Sequence, residues 1–372
     1  MGRAPWQHWL YASMCGQPAG SRLGQVGLAA LWLGSVLYGA VARGRQASYA
    51  AGIRRKKRLP CRVVSIGNVT VGGTGKTPLT MWVARWYQEH GWRVAVLSRG
   101  YGAHTALPLQ VVSSGHGPLA DWQTVGDEPY LMARSLPGIP VLVGKNRYLS
   151  GRYACEHFGT QIVVLDDGFQ HCSLSRDLDV VLLDASNPFG HGALLPRGIL
   201  REPLSALRRA DAIVLTRVDL AAPRLPALRQ QVCHYSKGRP IYGTAMAAEA
   251  LWQSTTGVVE SVAPLQGSRV VAFAGIGNPQ AFVKTLQQLG SEVAALFVFP
   301  DHYCYTVQDW QVIMQAARQQ QATCLVTTEK DAVRFPASWE AEIPVYALRI
   351  GMRFFQGEPA LPQQLSAVMT YA

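Results

Sequence analysis

From Arg62 onward, short β-branched apolar runs alternate with helix-length segments. "CRVVSIG" leads into a glycine-rich loop and the segment "TPLTMWVARWYQEHG". "RVAVLSRG", "IPVLVG", "QIVVLDD", "LDVVLLDA" and "ADAIVLTRV" then read as further strands. Continuous apolar runs of this kind predict buried parallel strands in an α/β sheet flanked by helices. Residues 221–268 are richer in Pro, Gln and small residues and read as a connector with weak strand content. A second, smaller α/β unit is predicted over 269–372, from "RVVAFAGIGNPQAFVKTLQQLG" through "CLVTTEKDAVRF" to "IPVYALRI". The expected organisation is therefore an N-terminal segment over 1–60, a first α/β domain over 61–220, the connector, and the smaller domain completing a cleft. "GIGNPQ" lacks a complete G-x-G-x-x-G, and a tight strand-to-helix turn accounts for it.

The N-terminal segment follows a different pattern. Leu23 to Val41, "LGQVGLAALWLGSVLYGAV", holds nineteen residues without a charge, and the basic run "RRKKR" follows at Arg54 to Arg58. That length just reaches what a bilayer span needs, while four glycines and a glutamine suit a helix lying in the interface equally well. Charge sharpens the picture. The first acidic residue is Glu89, and twelve of the 35 Lys and Arg precede it, so the other 23 balance the 23 Asp and Glu and the whole excess of +12 sits at this end. An acid-free basic end beside an apolar segment points to an anionic membrane surface, with the heavier basic flank in the cytoplasm. It does not resemble the basic face interleaved with aromatics that binds nucleic acid. Seven scattered cysteines, never spaced C-x-x-C, read as reduced thiols without a zinc site. A cleaved secretory signal would send those thiols to an oxidising compartment.

"TVGGTGKT" between a strand and a helix is a phosphate-binding loop in its usual context, although Thr70 stands where the G-x-x-x-x-G-K-[ST] pattern has its first glycine. The expected nucleotide-binding residues are Thr70, Val71, Gly72, Gly73, Thr74, Gly75, Lys76 and Thr77. Lys76 would contact the β- and γ-phosphates of ATP, and Thr77 would ligate Mg²⁺. The fold class is then a P-loop NTPase-like α/β protein. "QIVVLDDGFQH" places Asp166 and Asp167 at a strand tip, where adjacent like charges call for a cation and suggest a metal site. His171 reads either as an orienting residue or as a loop histidine. "VGDEPY" carries Asp127 and Glu128, "LLPRGILREP" carries Arg197, Arg201 and Glu202, and "FPDHYCY" carries Asp301 and His302. Each has an ordinary explanation taken singly: a helix cap for Asp127, a surface ion pair for Arg201 with Glu202, a turn for Asp301.

Taken together, "GNVTVGGTGKTP", "SRGYG", "VGDEPYLMA", "VVLDDGFQH", "LLPRGILREP", "FPDHYCY" and "TTEKDAVRF" span the chain in an order that resembles the tetraacyldisaccharide 4'-kinase family of lipid A biosynthesis. The resemblance implies transfer of the ATP γ-phosphoryl group to the 4'-hydroxyl of a lipid A disaccharide 1-phosphate precursor. The product would be the 1,4'-bisphosphate, formed with Mg²⁺ at the cytoplasmic face of the bacterial inner membrane. It also implies that Asp127 and His302 form a catalytic pair alongside Lys76. Asp127 would accept the sugar hydroxyl's proton and His302 would orient or polarise it, with Thr77, Asp166 and Asp167 handling the metal. Glu128, Arg197, Arg201, Glu202 and Asp301 are substrate-binding or supporting candidates. The Thr70 departure belongs to this family's own loop. No nucleic acid and no obligate protein partner is expected.

Two other classes share some of these features. "VLTRVD" approximates the guanine-reading T-K-x-D of a membrane-anchored regulatory GTPase, but Arg217 replaces the lysine and "DDGF" falls one residue short of D-x-x-G. "GGTGKT" also suits a ParA-like ATPase, whose signature lysine would stand at Val71.

Overall fold

The structure, a computed structural model, describes residues 14, 22–100, 107–253, 257–335, 339, 341–355 and 361–370. Tyr101 and Gly102 of "SRGYG" lie outside the described residues. The described residues fall into two units, one drawn from 1–99, 144–245 and 353–372, the other from 100–143 and 246–352.

Helix α1 (Arg22–Ala50) opens the first unit, and strand β1 (Arg62–Asn68) runs through the glycine loop into α2 (Lys76–Glu89) and β2 (Val94–Ser98). The chain then enters the second unit as β3 (Gln110–Ser113), α3 (Trp122–Val125), α4 (Asp127–Ser135) and β4 (Val141–Val143). It returns to the first as α5 (Arg147–Phe158), β5 (Ile162–Asp166), β6 (Leu178–Asp184), β7 (Ala212–Thr216), α6 (Leu225–Ser236) and the start of β8 (Ile241–Gln253). The end of β8, β9 (Val259–Glu260), β10 (Arg269–Ala274), α7 (Pro279–Gln288), β11 (Glu292–Val298) and α8 (Val307–Gln319) build the second unit. β12 (Cys324–Thr328), α9 (Glu329–Ala332) and most of β13 (Val345–Phe354) complete it, and α10 (Leu361–Thr370) belongs to the first.

In the first unit the strand order is β8-β7-β6-β1-β5-β2, and the described pairings are parallel. Strands covered on both faces must be apolar throughout, which is why Val163, Val164 and Leu165 of β5 and Val180 to Leu183 of β6 are fully buried. Ile66 of β1 pairs with Asp166 of β5, so the glycine loop and the aspartate pair leave the sheet at one carboxyl edge. In parallel α/β sheets that edge is where ligands bind. The second unit has its own parallel run, β11-β10-β12-β13, with antiparallel pairs β3–β4 and β8–β9. Its core includes an aromatic cluster in which Phe335 stacks on Tyr305 at 4.7 Å and meets Phe273 edge-on at 5.2 Å.

Three expectations need correction. Residues 221–268 are more than a connector, since they contain a 12-residue helix and a 13-residue strand. "IPVLVG" contributes β4, which pairs antiparallel with β3 and groups with the second unit. The end of the chain returns to the first unit, where Phe354 packs 4.7 Å from Trp82 and the Tyr87 hydroxyl donates to the Leu365 carbonyl at 3.1 Å. None of these pairings has a local signature, because they join positions more than a hundred residues apart or depend on strand direction.

Helix α1 is docked along one side. Ser35 Oγ donates to the Leu194 carbonyl at 2.8 Å and accepts from the Arg197 amide at 2.9 Å. Tyr38 donates to the Arg201 carbonyl at 3.0 Å, Arg45 to the Gln170 carbonyl at 3.0 Å, and Gln46 to the Glu202 carboxylate. The opposite side leaves Trp32, Leu33, Leu37 and Val41 more than half exposed.

Gly67 in β1 is needed for close approach, because a Cβ there would lie 2.6 Å from Phe169 Cβ and 2.7 Å from its backbone nitrogen. Phe169 is fully buried and cannot yield without moving the aspartate loop. Gly67→Ala is therefore expected to lower stability by about 1–3 kcal/mol through overpacking. A lower urea midpoint at unchanged slope would report it.

Candidate functional site

The phosphate loop in the first unit is shaped by bonds to the strands around it. Asn68, at the end of β1, donates to Thr74 Oγ1 at 2.9 Å, and Thr216 at the end of β7 donates to the Thr74 carbonyl at 3.1 Å. Arg217, beside an ion pair with Asp184, donates to the Gly73 carbonyl at 3.0 Å. Gly75 takes a left-handed conformation, φ 89°, at the N-cap of α2, so the chain can turn sharply into the helix. Backbone N–H groups at such a turn and the positive helix end suit an anion.

Thr70 is 3% exposed and forms an antiparallel bridge with Leu200, and it is not among the positive-φ residues. The backbone there makes no demand for glycine, which explains the departure from the pattern. The Val71 amide donates to the Ile199 carbonyl at 2.7 Å. Thr70 and Val71 thus tie the loop to "LLPRGILREP" rather than presenting free donors to a phosphate.

The adjacent aspartates have different surroundings. Asp166 is buried and accepts from Thr80 at 3.2 Å and Ser98 at 3.3 Å. Asp167, in a left-handed conformation with φ 54°, is held by Arg201 at 2.8 Å and lies 3.8 Å from the Lys76 ammonium. Burial alone would raise the Asp167 carboxyl, but Lys76 and Arg201 outweigh it and hold it below its ordinary value. Arg201 therefore pairs with Asp167, while Glu202, 1% exposed, pairs with Arg209, so the expected surface pair of Arg201 with Glu202 does not form. Arg197 is engaged through its backbone amide on α1. His171 is pushed down to about 4 by burial and then by Arg147, Arg176, Arg99 and Arg45, and its Nε2 lies 3.1 Å from Ser173 Oγ. It is a neutral imidazole at pH 7.

The second unit assembles the other group of residues. Asp127 is the first residue of α4 and is 7% exposed. Its Oδ1 accepts from the Glu128 amide at 3.0 Å, and its Oδ2 accepts from His302 Nδ1 at 2.9 Å and from the buried Arg334 guanidinium. His302, φ 62°, follows Asp301, whose Oδ1 accepts its amide at 3.1 Å. Lys330 Nζ lies 3.4 Å from His302 Nε2, 3.5 Å from Asp301 and 3.7 Å from Glu128. Burial would push the Asp127 carboxyl up. Hydrogen bonds from His302 and Arg334, with the charges of Arg334 and Lys330, overcome this and hold it far below the usual carboxylate range. The four candidates Asp127, Glu128, Asp301 and His302 thus meet in one cluster.

A family model described as "Tetraacyldisaccharide-1-P 4'-kinase" matches residues 28–370. The chain belongs to that kinase family. It is 43% identical over 353 residues to the tetraacyldisaccharide 4'-kinase of Anaeromyxobacter sp. (strain K), covering 94% of this chain and 93% of the relative. It is 44% identical over 306 residues to the same-named protein of Syntrophus aciditrophicus (strain SB), covering 80% and 82%. Among solved structures, the "apo" form of LpxK from Aquifex aeolicus in complex with ATP aligns with a TM-score of 0.74 at 31% identity, covering 92% of this chain and 98% of that one.

In this family member, reading the sequence missed the cations that flank Asp127. Arg334 and Lys330 lie in "TTEKDAVRF", which was legible as a motif but carried no residue-level signal toward an aspartate some 200 positions earlier. Arg217, which stands where a guanine-reading lysine would be, is engaged by the glycine loop and Asp184.

The Asp127 shift predicts a pH dependence of stability. Its folded-state value lies below the ordinary 3.8, so the unfolded chain takes the proton first as pH falls. The contribution is complete well above that value and is lost on acidification. Asp127→Asn should therefore lose stability relative to the parent at pH 6, and the gap should narrow by about 1 kcal/mol by pH 3. Urea midpoints across that range measure it.

Proposed function

We propose that this chain transfers the γ-phosphoryl group of ATP to the 4'-hydroxyl of a tetraacyldisaccharide 1-phosphate, the lipid A precursor, giving the 1,4'-bisphosphate and ADP. The observation that carries the chemistry is the hydrogen-bonded Asp127–His302 pair in a chain of this kinase family that also holds a formed phosphate loop. Phosphoryl transfer passes through a loose transition state, so positioning and charge matter more than covalent help from the protein. Amides of the loop from Gly72 to Thr77 and the Lys76 ammonium receive the β- and γ-phosphate oxygens, and Thr70 and Val71 brace that loop. As the hydroxyl oxygen bonds to phosphorus and the bond to the bridging oxygen breaks, the hydroxyl proton passes to the Asp127–His302 pair. The two side chains are joined by a 2.9 Å hydrogen bond. Asp301 and Glu128 keep Lys330 beside it.

Thr77, Asp166 and Asp167 are hard oxygen donors near the phosphate loop. This is the small protein share that suits Mg²⁺, which takes its other ligands from phosphate and water. Among the described residues no group of three or more His, Cys, Asp or Glu forms an all-protein cage. When bound, Mg²⁺ neutralises charge on the β- and γ-phosphate oxygens. Asp167 meanwhile restrains Lys76 and Arg201, keeping both cations at the phosphate site.

The same reading places the protein at the cytoplasmic face of the inner membrane, because a substrate with four acyl chains stays in the bilayer. Helix α1 is long and apolar enough to cross a membrane by composition. Its stretch from Ser35 to Gln46, however, is bonded to the nucleotide-binding unit. The part of α1 before Ser35, from Arg22 to Gly34, reaches only about 20 Å, short of the roughly 30 Å hydrocarbon core. We therefore place α1 in the interface, with Trp32, Leu33, Leu37 and Val41 in lipid and the Arg54 to Arg58 run at anionic headgroups.

Incubation of the purified protein with [γ-³²P]ATP, Mg²⁺ and a tetraacyldisaccharide 1-phosphate in detergent should yield a labelled bisphosphorylated lipid. Failure to label lipid under conditions where ATP binds would sink the proposal. Asp127→Ala is expected to lower turnover at least about a hundredfold with ATP affinity nearly unchanged. An equal loss of ATP affinity would move Asp127 into the nucleotide site.

A further inference from the structure

"TTEKDAVRF" is the motif that the proposed reaction leaves without a role, and it ends in an arginine with an unusual position. Thr328 caps the short helix α9, donating to Asp331 Oδ2 at 2.6 Å and accepting from the Asp331 amide at 3.1 Å. The turn that follows brings Arg334 inward, where its side chain is 1% exposed. One terminal nitrogen donates to Asp331 at 3.3 Å and the other to Asp127 Oδ2. The neighbouring Phe335 is locked in the aromatic cluster, which fixes the turn.

We infer that Arg334 is a positioning residue for phosphoryl transfer: clamped between Asp331 and Asp127, it holds the Asp127 carboxylate ionised and in the one orientation that engages His302. The inference rests on reading Asp127 and His302 as the proton-handling pair. A buried carboxylate loses its hydration and stays charged only if fixed donors replace water. Arg334 supplies both a charge and a direction, as a planar guanidinium can and a lysine cannot match. With Oδ1 on the Glu128 amide and Oδ2 shared by Arg334 and His302, the carboxylate cannot rotate freely.

That arrangement sets the histidine as well. Nδ1 faces Asp127 and the Arg334 guanidinium at 3.3 Å, so Nε2 points away from the carboxylate, on the side where Lys330 lies at 3.4 Å and Asp301 at 3.8 Å. The titratable and charged groups facing Asp127 are His302, Arg334 and Lys330. Glu128 and Asp301 face Lys330, and Asp331 faces Arg334. Burial pushes Asp331 upward, while Thr328 and Arg334 pull it down, so the guanidinium is shared between Asp331 and Asp127. Remove Arg334, and Asp127 takes a proton at higher pH and releases the imidazole.

The test uses the full-length protein with ATP and the tetraacyl acceptor, following kcat, KM and the pH dependence of kcat/KM. For Arg334→Met, kcat should fall at least about tenfold with KM for ATP unchanged, and the acid limb of kcat/KM should move up by about one pH unit. Arg334→Lys, which keeps the charge but not the planar fork, should return the acid limb toward its parent position and recover only part of kcat. In an Asp127→Asn background, adding Arg334→Met should cost less than about twofold, since residues acting through one another are not additive. If Arg334→Met does not fold, the Asp331→Asn/Arg334→Met protein removes the opposing charge as well and is read in the same way. An unshifted acid limb, or a full additional loss in the Asp127→Asn background, overturns the inference. Wild-type turnover in Asp127→Asn alone would instead overturn the reading of the pair on which it rests.

Discussion

A carboxylate taken out of water must be given something in return, and this protein's functional residues are organised around that demand. Asp127, Asp166, Glu202 and Asp331 are all buried, and each is met differently. Asp166 has hydroxyls, Glu202 has Arg209 and a glutamine from α1, Asp331 has Thr328 and Arg334, and Asp127 has an arginine, a histidine and a nearby lysine. The less buried Asp167 is met by Arg201 and Lys76. The balance between burial and the surrounding cations decides the outcome. Cations around Asp127 and Asp167 hold them anionic, whereas burial prevails at Glu202 and Asp331 and pushes them up. Two carboxylates are thereby kept charged, one beside the phosphate loop and one beside the histidine.

The same economy links the apolar helix to the phosphate loop within the first unit. Residues 194–202 accept bonds from Ser35, Tyr38 and Gln46 on one side. On the other they bind Val71 and Val69 through backbone bonds and Asp167 through Arg201. One segment therefore positions the apolar helix and the phosphate-binding turn together. The arrangement also accounts for Thr70: an extended residue pairing with Leu200 serves the brace, and a glycine there would gain nothing.

Local chemistry made much of this legible in the sequence. Apolar β-branched runs identify parallel strands because both of their faces are covered, and "GGTGKT" identifies a phosphate loop because only glycine tolerates its turn. Asp127, His302, Asp166 and Asp167 were legible as motif residues, since the order of seven spaced motifs resembled one kinase family. The acid-free N-terminal end pointed to a membrane surface for a similar reason, because charge imbalance along a chain needs no fold to be seen.

What the tertiary structure decided was pairing. Nothing local says that Arg201 turns to Asp167 and Glu202 to Arg209, that "IPVLVG" runs antiparallel in the second unit, or that residues 353–370 return to the first. Arg334 has no local feature that marks it until the fold buries it against a carboxylate 207 positions away. The physical reason is the same throughout. Periodicity, turn residues and glycine requirements act over a few bonds and are written in neighbouring letters. Ion pairing and desolvation act through space, and the partner that satisfies a buried charge is known only when the chain has folded.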